Sequence, residues 1–127
     1  MARERVLVVE DQDLIRLILV EILNDEGFDA VEASTGDEAA ALIDGPDGFH
    51  AVVTDIHMPG EWDGIAVGRH ARRRHPAIPV IYCTGRPDAL SGAGPLGHRD
   101  VLVRKPYSPS QVVSILRHFL PTSGDTG

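Results

Sequence analysis

Five polar residues of this sequence directly follow short apolar segments, where their side chains could carry out chemistry. Residues 50–54 lead into Asp55, and Pro59 stops this segment from continuing as sheet. The other four residues follow further segments of the same kind and are Glu10, Asp11, Thr84 and Lys105. Ligands of open α/β sheets bind just beyond the carboxyl ends of the strands. These positions therefore predict a functional site.

Phosphoryl transfer to Asp55 is the chemistry that these residue types indicate. Crowded carboxylates raise one another's pKa values unless a cation neutralises them, and Mg²⁺ prefers oxygen ligands. An aligned aspartate can attack phosphorus as a nucleophile. Mg²⁺ would contact one phosphoryl oxygen, the Lys105 ammonium a second, and the Thr84 hydroxyl with nearby backbone N–H groups a third. We therefore interpret Asp55 as the nucleophile of a magnesium-dependent site.

Short apolar or β-branched segments recur along the chain, and most are separated by stretches of helical length. They cover residues 5–10, 28–33, 50–54, 79–84 and 100–104. This alternation predicts repeated βα units and a parallel sheet. The run from Val6 to Val9 is apolar throughout, as expected of a central strand that is covered on both faces. The sequence thus predicts an α/β fold in one domain.

The first predicted helix begins just after the acidic pair. Its apolar residues recur at spacings of three and four. They predict a buried face made of Leu14, Ile15, Ile18, Leu19, Ile22 and Leu23. Asp11 or Asp13 is expected to cap this helix, because both precede its apolar stripe.

Later helices have start signals of their own. Thr35 and Glu38 form a capping-box pattern at the second helix, and a third helix is expected from near Asp63 to His75. Ser108 is expected to cap the last helix, because proline follows it at the first helical position and Gln111 stands three residues on. Residues 86–99 contain two prolines and several glycines, so we expect only a short helix or a loop there. Residues 121–127 contain no apolar residue and should form a frayed tail.

The composition argues against several classes of function. Twelve basic and nineteen acidic residues give a formal charge of −7, which argues against a nucleic-acid surface. No run approaches the roughly 20 apolar residues of a membrane helix, and the N-terminus lacks a signal-peptide layout. We therefore expect a cytoplasmic protein that makes no membrane contact. Cys83 lies in an apolar run and is expected to be a buried core thiol, and the six histidines lack zinc-ligand spacing.

Together the motifs resemble the receiver domain of two-component response regulators over residues 6–119. The matching pieces are Glu10-Asp11, Thr54-Asp55-Ile56-His57-Met58-Pro59 followed by Asp63-Gly64, Thr84-Gly85, and Lys105-Pro106. The resemblance implies a doubly wound, flavodoxin-like sheet of five parallel strands in the order 2-1-3-4-5, with helices on both faces. The fourth of the family's helices would be short or disordered here. The receiver domain would cover residues 1–121, and residues 122–127 would be a flexible tail.

The resemblance also implies a role for each site residue. Asp55 would be the phosphoacceptor, and Thr84 and Lys105 would contact the phosphoryl group. Mg²⁺ would be the cofactor, with Mn²⁺ as a substitute. Its ligands would be Asp11, Asp55, Glu10 through a water molecule and the backbone carbonyl of His57. The peptide bond between Lys105 and Pro106 would be cis.

This sequence departs from the family pattern in three places. The loop segment Gly60-Glu61-Trp62 is one residue longer than its commonest form. Leu102 stands where many receivers have a tyrosine or phenylalanine that moves with the threonine. Residues 79–85 resemble a small subgroup of stand-alone receivers in which the fourth helix is reduced. Together these departures suggest a rebuilt output face.

The expected function is that of a stand-alone receiver, which takes its phosphoryl group from a histidine kinase or a histidine phosphotransfer protein. Phosphorylation would switch binding to a downstream protein or homodimerisation, with self-catalysed phosphorylation and slow hydrolysis as the only catalysis. A phosphate sink or scaffold without direct output stays open as an alternative. A haloacid-dehalogenase-like phosphatase would need an acid where His57 stands. A flavodoxin-like cofactor binder would need a phosphate loop where Glu10, Asp11 and Asp13 stand.

Overall fold

The computed structural model describes residues 3–86, 88 and 96–120. Its strands are β1 (Arg5–Val9), β2 (Asp29–Ala33), β3 (Ala51–Asp55), β4 (Val80–Thr84) and β5 (Asp100–Arg104). Its helices are α1 (Asp13–Asp25), α2 (Gly36–Ile43), α3 (Gly64–Arg74) and α4 (Pro109–Phe119). All strands pair in parallel, in the order β2-β1-β3-β4-β5. The predicted α/β class and strand order are confirmed.

The register of the sheet brings the carboxyl ends of neighbouring strands to one edge. Val9, the last residue of β1, pairs with Ala33 of β2 and Thr54 of β3. Asp55 pairs with Cys83 of β4. The residues that directly follow these strands therefore begin at nearly the same level of the sheet.

Apolar residues of β1 alternate between two cores, one on each face of the sheet. Val6 and Val8 face a core that includes residues of α1 and α4, whereas Leu7 and Val9 face a core with α2 and α3. This explains why β1 is apolar at every position from Val6 to Val9. Cys83 lies in the first core, where burial raises the pKa of its thiol to about 12. The expectation of a buried core thiol is confirmed.

Two helices begin with side-chain caps, of which the sequence predicted the one at α2. Thr35 Oγ1 accepts a hydrogen bond from the Glu38 backbone N–H at 3.0 Å. The Glu38 carboxylate in turn accepts one from the backbone N–H of Ser34 at 2.8 Å, one residue before the position that the capping box predicts. At α3, Asp63 Oδ1 accepts a hydrogen bond from the Ala66 N–H at 2.8 Å.

The predicted caps of α1 and α4 are not formed. The residue before α1 is Gln12, which makes no side-chain cap, and Asp13 is the first residue within the helix. The prediction that Asp11 or Asp13 caps α1 was therefore wrong. Ser108 does precede α4, but its hydroxyl makes no capping bond and lies 3.0 Å from the Ser110 hydroxyl. The start of this helix was predicted correctly, whereas its cap was not.

The buried face of α1 is narrower than its apolar stripe. Leu19 and Leu23 are buried, but Leu14 is 71% exposed and Ile18 is 45% exposed, so the predicted face was wrong at these two positions. Leu17 is exposed as well. The N-terminal half of α1 carries more apolar side chains than the sheet and its neighbouring residues cover.

Two predictions fall on residues outside the described ranges. They are the short fourth helix of the family, which concerns residues 87 and 89–95, and the frayed tail at residues 121–127. Residues 96–99, which lead into β5, contain no helix. Among the described residues, no helix has the length and apolar character needed to cross a membrane.

Candidate functional site

Three carboxylates meet at the carboxyl edge of the sheet. Glu10 and Asp11 follow β1, and Asp55 ends the neighbouring strand β3. Each offers a carboxylate oxygen that lies within 4.8 Å of those of the other two. Glu10 and Asp55 are buried, whereas Asp11 is exposed to solvent. The structure thus brings together the three acids that the sequence predicted as metal ligands.

Lys105, which directly follows β5, places a positive charge beside two of these acids. Its ammonium lies 3.0 Å from Glu10 Oε1 and 3.2 Å from Asp55 Oδ2. The backbone N–H of Lys105 donates to the Thr84 carbonyl at 2.8 Å, which ties the end of β5 to the end of β4. The peptide bond from Lys105 to Pro106 is cis, as the resemblance implied. One ammonium among three carboxylates leaves the cluster with net negative charge.

The pKa values of these groups are governed by burial and by their mutual contacts. Burial raises the pKa of Glu10, although hydrogen bonds from the Gln12 backbone and from Lys105 oppose the shift. Burial also raises the pKa of Asp55, again against the effect of Lys105. For Lys105, burial alone would lower the pKa, but the hydrogen bond to Glu10 and the attraction of Asp55 raise it above its ordinary value. A further cation at the cluster would stabilise both carboxylates in their charged form.

The donor set of the cluster suits a hard divalent cation. Carboxylate oxygens are the ligands that Mg²⁺ prefers, and an ion bound by a few protein oxygens keeps water molecules that a phosphoryl group can replace. His57, which the sequence predicted to supply a backbone carbonyl, follows β3 in the adjacent loop and has an exposed side chain.

Thr84 ends β4 at the same edge, but its hydroxyl is engaged within its own loop. Thr84 Oγ1 accepts a hydrogen bond from the Arg86 N–H at 3.0 Å and lies 3.3 Å from the Arg86 carbonyl oxygen. The side chain is buried. A contact between Thr84 and a phosphoryl group would require this hydroxyl to exchange a partner.

The loop between β3 and α3 folds back over α2 and α3. Gly60 adopts a φ of 96°, a conformation that favours glycine. A side chain on Gly64 would place its Cβ 2.0 Å from the carbonyl oxygen of Asp55, so only glycine fits there. Trp62 is partly buried against the core and meets the His70 ring edge-on, with centroids 5.2 Å apart. Trp62 is therefore a packing anchor of this longer loop.

Leu102 lies in β5 opposite Tyr82 of β4 and is partly buried against the core of α2 and α3. Burial raises the pKa of Tyr82 to about 12. The Tyr82 hydroxyl fills the space next to Gly68, where an added Cβ would lie only 2.1 Å away. An aromatic side chain is thus present beside position 102, on the neighbouring strand.

Sequence reasoning missed Arg16, whose guanidinium contacts the back of the acidic loop. Arg16 Nη1 donates to the backbone carbonyl of Glu10 at 2.8 Å. The spacing from Asp13 to Arg16 is a pattern for an ion pair on one helix face, and this pair is formed. No pattern in the sequence indicated the bond to the Glu10 carbonyl.

Comparison with known proteins gives a family match over most of the chain. Residues 6–117 match the family described as the response regulator receiver domain. The chain is 34% identical over 116 residues to the transcriptional regulatory protein TcrA of Mycobacterium tuberculosis, covering 89% of this chain and 44% of TcrA. It is 33% identical over 117 residues to the sensor kinase CckA of Brucella abortus, covering 91% of this chain and 12% of CckA. The chain therefore spans less than half the length of these relatives.

Solved structures agree with the fold. A response regulator receiver protein from Sinorhizobium medicae superposes with a TM-score of 0.85 at 24% identity, over 94% of this chain and 96% of that one. At that identity the likeness shows the fold alone. The receiver domain of NtrX from Brucella abortus gives a TM-score of 0.78 at 30% identity, over 93% of this chain and 99% of the other.

Proposed function

The chain belongs to the response regulator receiver domain family of two-component signalling, and we propose that its Asp55 accepts a phosphoryl group from a histidine kinase or a histidine phosphotransfer protein. The observation that carries this proposal is the pair of contacts from Lys105 to the carboxylates of Glu10 and Asp55. An ammonium held beside the nucleophile is placed to neutralise a phosphoryl oxygen. Family membership favours this function over the phosphatase and the flavodoxin-like cofactor binder.

The metal in this proposal is Mg²⁺, with Mn²⁺ as a substitute, because the clustered acids present hard oxygen donors. The assigned ligands are Asp11, Asp55, Glu10 through a water molecule and the backbone carbonyl of His57. When bound, the ion would supply positive charge next to the phosphoryl oxygens, which the carboxylates would otherwise repel. A carboxylate oxygen of Asp55 would attack the phosphorus of the donor's phosphohistidine, forming an acyl phosphate and releasing the donor's histidine. Water would later hydrolyse this acyl phosphate to the Asp55 carboxylate and inorganic phosphate, and the domain itself would supply the catalytic groups for both steps.

The switch in this proposal is electrostatic. A phosphorylated side chain carries about −1.5 to −2 charges at neutral pH, which is more than the single charge of a carboxylate. Lys105 already contacts Asp55, and Thr84 lies at the end of the adjacent strand. Added charge on Asp55 would draw both side chains towards the phosphoryl group. The Thr84 hydroxyl would then leave its bonds to Arg86, which would loosen the loop after β4.

The exposed apolar residues of α1 are the surface that we assign to the phosphodonor protein. Leu14, Leu17 and Ile18 lie in the N-terminal half of the helix, just after the acidic pair. Ile18 also lines a groove of about 470 Å³ between α1 and the loop that leads into α4. Lys105 lines the same groove, so the surface adjoins the candidate site. Exposed apolar patches of this kind mark protein-binding surfaces.

The remaining parts of the proposal concern the cellular role. We propose a cytoplasmic, stand-alone receiver whose phosphorylation changes binding to a downstream protein or promotes homodimerisation. The resemblance of residues 79–85 to stand-alone receivers supports this role. A phosphate sink or scaffold without direct output would use the same chemistry at Asp55 and differ only in lacking a downstream partner.

Intact mass spectrometry after incubation with acetyl phosphate tests the chemistry. The wild type should gain one phosphoryl group only when Mg²⁺ is present, and Asp55→Asn should gain none. Asp37→Asn is the matched control, because Asp37 is an exposed acid in the first turn of α2 and lies outside the cluster. It should be labelled like the wild type. A folded wild type without a magnesium-dependent adduct, or an adduct that persists in Asp55→Asn, would contradict the proposal.

A second experiment tests the surface for the phosphodonor. With a histidine kinase that phosphorylates the wild type, Leu14→Ser should slow phosphoryl transfer but leave labelling by acetyl phosphate unchanged, because the small donor needs no protein surface. Leu96→Ser is the control, since Leu96 is an exposed leucine outside α1. Equal slowing by both variants, or by neither, would argue against the assigned surface.

A further inference from the structure

We propose that Arg16 is a positioning residue, which holds the peptide between Glu10 and Asp11 in the orientation that a divalent cation requires. The inference rests on the proposed magnesium site. Arg16 Nη1 donates to the carbonyl oxygen of Glu10 at 2.8 Å, and this carbonyl belongs to the peptide that joins the two acids. Rotation of that peptide would change the direction in which the Asp11 side chain leaves the backbone. Arg16 therefore controls the relative placement of two assigned ligands without touching the ion.

The loop between β1 and α1 depends on this contact because α1 lacks a side-chain cap. At α2 and α3, Thr35 and Asp63 cap the first turn and fix the entry of the chain. At α1, Gln12 makes no side-chain cap, and its backbone N–H is instead bonded to Glu10 Oε2 at 3.1 Å. The acidic loop is thus held through Glu10 rather than through a cap.

Every polar group of Glu10 has a partner, and each partner comes from a different part of the fold. Its backbone N–H donates to the Ala33 carbonyl at 3.1 Å, at the end of β2. Its carboxylate oxygens accept bonds from Lys105 and from the Gln12 N–H. Its carbonyl oxygen accepts the bond from Arg16. Loss of the Arg16 bond would release the Glu10 carbonyl, which belongs to the peptide that leads to Asp11.

Arg16 is itself held from two sides, as a positioning role requires. Its Nε lies 2.9 Å from Glu32 Oε1 on β2, and its Nη2 lies 2.8 Å from Asp13 Oδ1 on α1. The side chain is only 12% exposed. A planar guanidinium can serve three acceptors at once in a fixed geometry, which the single ammonium of lysine does not reproduce. The side chain therefore connects β2, α1 and the acidic loop.

When Arg16 is replaced, the loss of its charge and the loss of its contact with the Glu10 carbonyl predict opposite changes in Mg²⁺ affinity. The guanidinium is a positive charge near a cation site, and without it Asp13 and Glu32 would remain as unpaired negative charges. By charge alone, the variant should bind Mg²⁺ more tightly than the wild type. If Arg16 positions the ligands, the variant should bind Mg²⁺ more weakly than the wild type, since groups that orient metal ligands typically contribute 10- to 100-fold to metal affinity. The sign of the change therefore decides between the two effects.

The test is titration calorimetry with MgCl₂ in the absence of a phosphodonor. Arg16→Met keeps most of the aliphatic stem of the side chain but removes the guanidinium, and it should bind Mg²⁺ about tenfold more weakly. Arg16→Lys keeps the charge and should fall between Arg16→Met and the wild type. Arg117→Met is the matched control, because Arg117 forms an arginine–glutamate pair with Glu26, the residue just after the C-terminal end of α1. It should bind like the wild type.

The outcomes separate this inference from the proposed function. A wild type that binds no Mg²⁺ would overturn the proposed metal site itself. A wild type that binds, together with an Arg16→Met variant that binds equally or more tightly, would overturn the positioning role alone. If thermal melting shows that Arg16→Met is unfolded, Arg16→Lys decides, and wild-type affinity in that folded variant would also overturn the role.

Discussion

Replacing Lys105 by methionine should destabilise the protein without metal and make its stability more dependent on Mg²⁺. The ammonium lies 3.0 and 3.2 Å from two buried carboxylates. At about 3 Å and an effective dielectric constant near 20, each attraction is on the order of 5 kcal/mol before desolvation. The Lys105 side chain is 20% exposed, and the cost of desolvating the three charges cancels most of the attraction. We therefore expect a net loss of about 2 kcal/mol in the free energy of unfolding.

Magnesium should offset this loss, because it takes over the neutralisation of the same carboxylates. An ion at 100 times its dissociation constant adds about 2.7 kcal/mol to the free energy of unfolding. Removing the Lys105 ammonium, which competes with Mg²⁺ for these carboxylates, should also tighten Mg²⁺ binding. Lys105→Met should therefore gain more stability from Mg²⁺ than the wild type does.

Urea unfolding followed by circular dichroism, with and without MgCl₂, measures both effects. Arg104→Met is the matched control, since Arg104 is the exposed residue just before Lys105 and the substitution removes the same formal charge. Arg104→Met should change neither the free energy of unfolding without metal nor the gain in that free energy from Mg²⁺. A Lys105→Met variant that is as stable as the wild type without metal, or that gains no more from Mg²⁺, would refute the reasoning.

The loss of stability in Lys105→Met should depend on pH, and its direction follows from the pKa values of the two buried carboxylates. Burial raises the pKa values of Glu10 and Asp55 in the folded protein above their ordinary values of 4.5 and 3.8. Between the ordinary and the raised values the native state binds more protons than the unfolded chain, so these two groups stabilise the fold as the pH falls. Without Lys105 their pKa values should rise further. The stability deficit of Lys105→Met should therefore be smaller at about pH 5 than at pH 7, and a larger deficit at the lower pH would contradict this account.

Three further predictions concern the loops and the core around the site. Gly64→Ala should lower the free energy of unfolding by about 1–3 kcal/mol, measured by urea unfolding, because its Cβ would lie 2.0 Å from a backbone carbonyl oxygen. Cys83 should react with a thiol reagent only at the rate of unfolding, because it is buried and burial raises its pKa to about 12. His57 and Arg86, two residues beyond Asp55 and Thr84, are expected to flank the path of the water that attacks the phosphorylated site. Substituting alanine for either residue should therefore change the rate at which the phosphorylated protein loses its label more than it changes the Mg²⁺ dissociation constant.

Each of these three predictions has a clear contrary result. Gly85→Ala is the control for Gly64→Ala, since an added Cβ there has its nearest neighbour at 4.0 Å, and equal destabilisation by both would refute the steric argument. Labelling of Cys83 in the native state, faster than unfolding, would show an access route to the core. Equal effects of the His57 and Arg86 variants on hydrolysis and on metal affinity would refute their placement beside the attacking water.

The sheet and the meeting of the acids could be predicted because both depend on backbone topology. Parallel strands have their carboxyl ends at one edge, so Glu10 and Asp55 are brought together once their strands are neighbours. The apolar runs indicate which residues form the strands, the resemblance to receiver domains implies the order of the strands, and no side-chain conformation is needed. This is why residues that are far apart in the chain could be assigned to one site from their types and positions alone.

The details that failed depend on competition between side chains for the same partner. Asp11 or Asp13 was expected to cap α1, but Asp13 pairs with Arg16, and the Gln12 N–H donates to the Glu10 carboxylate. Both partners are close in sequence, and which neighbour each group binds is decided only by the geometry of the folded loop. Periodicity predicted that Leu14 would be buried, but its side chain is exposed. A helical stripe of apolar residues indicates amphipathic character and does not indicate where the covering sheet ends.

Lys105 connects the chemistry of the site with the surface that would receive the phosphodonor. Its ammonium holds two buried carboxylates, and its side chain also lines the apolar groove beside α1. A phosphoryl group on Asp55, as proposed, would compete with Glu10 for that ammonium. Any movement of Lys105 towards the phosphoryl group would change one wall of the groove. The surface that accepts the donor would therefore differ before and after transfer, which favours release of the donor once Asp55 is modified.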